Sequence, residues 1–191
     1  MVFGIFKKIF SRKNSKPKFC KNIHQKTLGY RYADVDDFDF ISKCIKAGAQ
    51  EHQFKFMSKE EISKMIETGK NMPNSVLRIL KFNDADVGFL YAGYNIMTSD
   101  KKRKKILKGY EINLLYIADD YRKRGIAAKA ILELEQEFKE FDINELYVRC
   151  EKTNSKGAIA LFEKLGYTYF GIYDYEKGKL YYNIYKKSLT I

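Results

Sequence analysis

The chain has 191 residues, 45% hydrophobic and 15% aromatic, which is enough for one domain with a sizeable core and is not the composition of a disordered chain. Three scattered cysteines (Cys20, Cys44, Cys150) and two histidines (His24, His52) lack metal-ligand spacing, which argues for reduced thiols as in the cytoplasm and against a disulfide framework or a zinc site. The net charge of +12 is concentrated: residues 1–33 carry nine Lys or Arg and no acid, residues 100–108 add a net +5, and the rest sums to −2, which argues against a uniformly basic nucleic-acid binder.

The first residues read as a short basic amphipathic helix. Val2, Phe3, Ile5, Phe6, Ile9 and Phe10 share one arc at helical spacing, and Lys7, Lys8 and Ser11 lie opposite. Such a face suits an anionic membrane surface, reached through residues 2–13; an acid-poor transit leader or a helix docked on the body has the same pattern. Residues 11–26 read as a polar linker, so residues 1–26 form a basic extension and residues 27–191 the folded domain.

Within the domain, Leu28–Tyr32 alternates as a first strand. Asp34, Asp36 or Asp37 can cap a helix through about Ala49. Ser58 with Glu61 three residues on is a capping box for a second helix, which ends at Gly69. Val76–Phe82 and Val87–Met97 are strands joined by a turn at Asn83-Asp84-Ala85-Asp86. A basic loop then runs from Thr98 to Lys108, and Tyr110–Ile117 is a central strand. Ile126, Ala130, Ile131, Leu134 and Phe138 mark one face of the next helix. Glu145–Cys150 is a strand, and 155–165 a helix capped by Asn154 or Ser155 and closed by Gly166. Thr168–Tyr173 and Leu180–Tyr185 make a closing hairpin.

The segment Arg122-Lys123-Arg124-Gly125-Ile126-Ala127 joins the central strand to a helix N-terminus. The first amides of a helix have no intrahelical acceptor and carry partial positive charge. With a glycine for close approach and three cations beside it, such a turn suits a pyrophosphate. It is neither a P-loop nor a G-x-G-x-x-G fingerprint. Six residues alone are equally compatible with a basic turn that caps a helix.

Two local sequences in this element order resemble the GNAT superfamily of acyl-CoA-dependent N-acetyltransferases. Arg122, Gly125 and Ala127 fill the defined positions of its Q/R-x-x-G-x-G/A turn. Asn154-Ser155-Lys156-Gly157-Ala158 running into Leu161-Phe162-Glu163-Lys164-Leu165-Gly166-Tyr167 is similar to its N-x-x-x-A…L-Y-x-K-x-G-F segment. The two lie 27 residues apart, from Ala127 to Asn154, and the resemblance spans about residues 27–187.

The resemblance implies an α/β fold with a central mixed sheet flanked by helices, and acetyl transfer from acetyl-CoA to a primary amine without a metal. It implies that strands four and five splay, with pantetheine against Leu115, Tyr116 and Ile117. The pyrophosphate would rest on Arg122, Lys123, Arg124, Gly125, Ile126 and Ala127. Asn154 would reach the pantetheine arm, and Ala158 and Phe162 would line its far side. Glu111 falls where some members carry a glutamate base; the alternative is a solvated strand carboxylate. The family's tyrosine acid is Phe162 here, so the proton would come from water or another phenol such as Tyr167. The acceptor is not legible; residues 101–108 would suit a polyanionic one. A membrane-peripheral binding or regulatory module with a GNAT-like acyl-CoA-binding body is the alternative.

Overall fold

A computed structural model describes residues 27–98, 106–151, 155–174 and 181–190. The amphipathic extension, the loop 99–105, Asn154 and the hairpin tip 175–180 lie outside the described residues. The elements are β1 (Leu28–Tyr32), a 3-10 turn (Val35–Asp37), α1 (Phe38–Gln50), α2 (Lys59–Thr68), β2 (Ser75–Phe82), β3 (Ala85–Thr98) and β4 (Ile106–Ile117). A second 3-10 turn (Asp119–Tyr121), α3 (Ile126–Glu140), β5 (Glu145–Glu151), α4 (Lys156–Lys164), β6 (Thr168–Asp174) and β7 (Tyr181–Ser188) complete the order. The strands form one sheet in the order β1-β2-β3-β4-β5-β7-β6. Only β4 and β5 are parallel, and α3 makes the crossover that parallel neighbours need.

Two of the predicted caps form, whereas Ser155 stands at the start of α4 without a side-chain cap bond. Ser58 and Glu61 exchange backbone and side-chain bonds at the start of α2, at 2.7 and 3.2 Å. Of the three aspartates before α1, Asp34 makes the capping box, on the 3-10 turn that leads into the helix. Arg31 clamps Asp37 through two bonds of 2.7 and 2.6 Å, which holds that carboxyl below its ordinary range.

Two strand boundaries differ from the sequence reading. Asn83 and Asp84 have φ of 48° and 67°, a two-residue turn whose twist suits a hairpin, so β3 starts at Ala85 rather than Val87. The loop expected from Thr98 to Lys108 is shorter: Thr98 pairs with Ile106 and Ile96 with Lys108. Continuing the ladder satisfies backbone donors and acceptors whatever the side chains are, so Lys108 sits in the strand.

Helices cover both faces of the sheet, which explains why β2 is buried almost throughout. Val76, Leu80 and Phe82 pack with Ile131, Leu134 and Phe138 of α3. Leu77, Ile79 and Phe89 pack with Ile41, Ile45 and Ile62 of α1 and α2. A buried arginine, Arg78, crosses the first of these layers. It pairs with Glu137 of α3 and lies 4.1 Å from the Tyr30 ring centroid, while the Tyr30 hydroxyl donates to the same carboxylate at 2.5 Å.

β3 and β4 approach closely at Gly88, where an added Cβ would stand 2.0 Å from the Tyr116 carbonyl oxygen. Backbone on both sides leaves nothing to rotate away. Gly88→Ala is expected to destabilise the fold by about 1–3 kcal/mol, read as a lower urea midpoint; an unchanged midpoint would show that the strands part freely here.

Candidate active site

The site begins with a backbone mismatch. β4 and β5 pair only over Tyr110–Ile112 and Leu146–Val148. Beyond that point β4 stays on β3 as far as Ile117, and β5 stays on β7 as far as Glu151, so the two strands diverge. The Ala118 amide bonds to Val87 of β3 at 2.9 Å. Backbone polarity alternates along a strand, so Leu115 and Ile117 turn their amide and carbonyl groups to the open side. The Ile117 carbonyl confirms this, since it accepts from Arg122 Nε at 2.7 Å across that side.

A cavity of about 520 Å³ fills the gap. That is within the range of about 300–1,000 Å³ usual for small-molecule sites. One wall is the inner edge of β4 from Ile112 to Leu115, and the opposite wall is Val148, Arg149 and Cys150 of β5. Gly157, Ala158, Leu161 and Phe162 of α4 close one face, and Gln53 and Phe54, between α1 and α2, close the other.

The basic turn closes the far end. Gly125 has φ of 83° and caps α3 without any side-chain bond. An added Cβ there would meet nothing within 4 Å, so the glycine is needed for its left-handed backbone and faces open space. The first helical bond runs from the Lys129 amide to the Gly125 carbonyl, at 3.0 Å. The amides of Ile126, Ala127 and Ala128 therefore have no acceptor within the helix, and no acid stands in its first turn.

Of the residues expected from the sequence, Leu115, Ile117, Arg122, Lys123, Gly125, Ile126, Ala127, Ala158 and Phe162 line this cavity. Others do not. Tyr116 turns to the α1–α2 face, where its hydroxyl lies 3.4 Å from Glu51, and burial and that carboxylate raise its pKa. Arg124 is exposed; it donates to the Asp120 carbonyl at 2.8 Å and lies over the rings of Phe82 and Tyr121. Arg122 lines the cavity, but its guanidinium is already held by Glu51 at 2.6 Å, by Asp119 and by the Ile117 carbonyl. It acts as a staple between the turn and the end of α1. Lys123, exposed and with φ of 59°, is the cation of the turn with neither an ion pair nor a side-chain hydrogen bond among the described residues.

Neither carboxylate nor phenol expected to do chemistry touches the cavity. Glu111 is 1% exposed and accepts from Asn95 at 2.8 Å and from both Nε and Nη2 of Arg149, the latter at 3.0 Å. Tyr167 is buried against Phe162, ring centroids 5.1 Å apart, and its phenol lies on the Glu135 side. Burial and that carboxylate push the phenol far above its ordinary range. The sequence reading missed Arg149, Asn113, Gln53 and Phe54. Arg149 sits in an alternating strand where it reads as an outward polar residue. Gln53 and Phe54 belong to no motif. Among the described residues no three His, Cys, Asp or Glu side chains gather as a metal site, and no helix is long and apolar enough to cross a membrane.

A model of the acetyltransferase (GNAT) family matches residues 59–167. The chain belongs to the GNAT family. Solved structures share the fold at low identity. An N-acetyltransferase from Staphylococcus aureus Mu50 is 18% identical with a TM-score of 0.64, over 86% of this chain and 99% of that one. A ribosomal-protein-alanine N-acetyltransferase from Brucella melitensis is also 18% identical, TM-score 0.64, over 84% and 99%. The PaiA N-acetyltransferase from Thermoplasma acidophilum, in complex with coenzyme A, is 15% identical, TM-score 0.61, over 85% and 99%. No curated protein matches the chain in sequence.

In this GNAT chain the Arg122–Glu51 staple is about a third exposed on each side, so solvent screens it. A double-mutant cycle of Glu51→Gln and Arg122→Gln in urea denaturation should give a coupling below about 1 kcal/mol. A larger coupling would mean that the pair carries the local fold.

Proposed function

We propose that the chain is an acyl-CoA-dependent N-acyltransferase that moves an acetyl group from acetyl-CoA to an amine. The open cleft between β4 and β5, ending on uncapped amides at Gly125, carries this reading. A pyrophosphate would rest on the turn from Arg122 to Ala127, with Lys123 adding charge. The pantetheine arm would pair with the backbone groups of Leu115 and the amide of Ile117 in place of a missing strand. Ala158 and Phe162 would form its other wall, and the family resemblance adds Asn154. The PaiA structure, which holds coenzyme A in the same fold, supports this assignment.

The chemistry is attack of a neutral amine on the thioester carbonyl. Charge develops on the carbonyl oxygen, and a backbone amide on the open side of β4 near the fork would receive it. The amine would arrive from the α1–α2 side, through a smaller cavity of about 180 Å³ beside Gln53 and Phe54 that is also lined by His52, Lys55, Glu151 and Tyr182. Glu111 would take part by holding Arg149 rather than as a free base, because its carboxylate already accepts three N–H bonds. The amine's proton would leave to water.

Calorimetric titration with acetyl-CoA and with CoA tests the cofactor site. The wild type should bind both, and Gly125→Glu should bind neither, since a carboxylate would meet the pyrophosphate and block the backbone's approach. Absence of binding by the wild type would overturn the reading. With binding established, thiol release above hydrolysis with a panel of primary amines tests transfer; release with none of them would leave an acyl-CoA-binding protein.

A further inference from the structure

We propose that Arg149 stabilises the departing CoA thiolate electrostatically, in the role a proton-donating phenol would otherwise have. The inference rests on the acyl-CoA reading above and adds a catalytic residue to it. When the amine nitrogen bonds to the thioester carbonyl carbon, the C–S bond breaks and its electron pair stays on sulfur. The amine's proton passes to water. The sulfur therefore leaves as a thiolate unless an acid protonates it, and something must accommodate its charge.

Position along the cleft assigns the sulfur to the fork. The turn at Gly125 fixes the phosphate end, just beyond Ile117. From Ile117 back to Ile112, the last β4 residue paired with β5, is five residues, or roughly 17 Å of strand. An extended pantetheine arm spans a comparable length. Its thiol end then falls where the strands part, and Arg149 is the first β5 residue past the last paired one, Val148.

Among the described side chains at the fork, one carries a permanent positive charge. Phe162 lines the cavity and has no proton to give. Tyr167 lies behind it, turned toward Glu135. Tyr121, the one phenol on the lining among the described residues, belongs to the turn at the other end and packs on Phe82. The Cys150 thiol is pushed up to about 12 by burial and stays protonated and weakly acidic. Arg149 is a permanent cation on the lining.

Its mounting suits the role. Glu111 is 1% exposed and lies outside the cavity, whereas about a quarter of the Arg149 side chain remains exposed. The pair thus presents its positive end to the cleft. Asn95 Nδ2 bonds to Glu111 at 2.8 Å and to Asn113 at 3.1 Å, which ties the anion to β3 and β4 and holds the guanidinium in place. A fixed charge in a partly dry cleft stabilises a developing anion without reorganising.

The test reads binding rather than turnover. A thiolate held by Arg149 binds more tightly than a thiol, so the affinity for CoA should rise with pH. S-methyl-CoA has no such proton and is the control. For a thiol pKa lowered by one unit on binding, the affinity ratio of CoA to S-methyl-CoA rises toward a limit of roughly tenfold as the pH passes the pKa of the free thiol. Other charged groups face the same space: Glu51, Arg122 and Lys123 toward the turn, and His52, Lys55, Glu151 and Tyr182 in the adjoining cavity. Their contacts with the rest of the ligand cancel in the ratio, and the double variant below separates their effect on the thiolate from that of Arg149.

Removing Arg149 alone would strand a buried carboxylate, so the variant is Glu111→Gln with Arg149→Gln. The wild type should show the rise, and the double variant should bind S-methyl-CoA while losing the rise. A flat ratio in the wild type, or a rise retained in the double variant, would overturn the proposal and leave the acyl-CoA reading intact. Failure of the wild type to bind S-methyl-CoA at any pH would sink both.

Discussion

The three-residue pairing between β4 and β5 is the constraint on which the site depends. A parallel pair normally continues its ladder, because unpaired backbone amides and carbonyls are costly once removed from water. Here β3 holds β4 along its whole outer edge and β5 is held by β7, so the two halves of the sheet follow their own partners and part after Ile112 and Val148. The edge of β4 at Leu115 and Ile117 keeps its hydrogen-bonding capacity. A ligand with amides spaced along an extended arm would complete the sheet at that edge. The same divergence brings the β4–α3 turn to the mouth of the gap, and with it the free amides of the helix start.

Charge in this fold is arranged as buried pairs around an open polar seam. Arg78 with Glu137, Arg149 with Glu111 and Lys187 with Glu135 each join two elements that are distant in sequence. Such pairs add little net stability, because desolvation offsets most of their attraction, but breaking one leaves an uncompensated charge. Their effect is on geometry: each fixes a side chain at one place between layers. Arg122 shows the same economy at the surface of the cleft. It would be the natural phosphate ligand by sequence position, yet Glu51 and Asp119 neutralise it. What the turn offers to the cleft is backbone polarity and Lys123.

Much of the architecture was legible because its causes are local. The capping box at Ser58 and Glu61, the glycine at the α3 start and the 3.6-residue period from Ile126 to Phe138 act within one or two turns of chain. The turn and the α4 segment are recognisable from residue types at short spacing, and seven of their expected residues line the cavity. The two strand boundaries were misplaced because composition, not pairing, set them. Lysines between Thr98 and Lys108 read as loop, while the hairpin ladder continues through both of its ends.

The sequence by itself determined the order of elements, the capping box of α2 and the glycine turn at the start of α3, since each arises from interactions among neighbouring residues. It did not determine which side chains face the cleft. Glu111 and Arg149 are 38 residues apart, and Glu51 and Arg122 71 apart, and nothing local to any of them signals its partner. Only the assembled sheet turns Arg149 into the gap, buries Glu111 beneath it and moves Tyr167 behind Phe162. These outcomes follow from strand register and from layers packing on both faces, which exist only once the whole chain is in place.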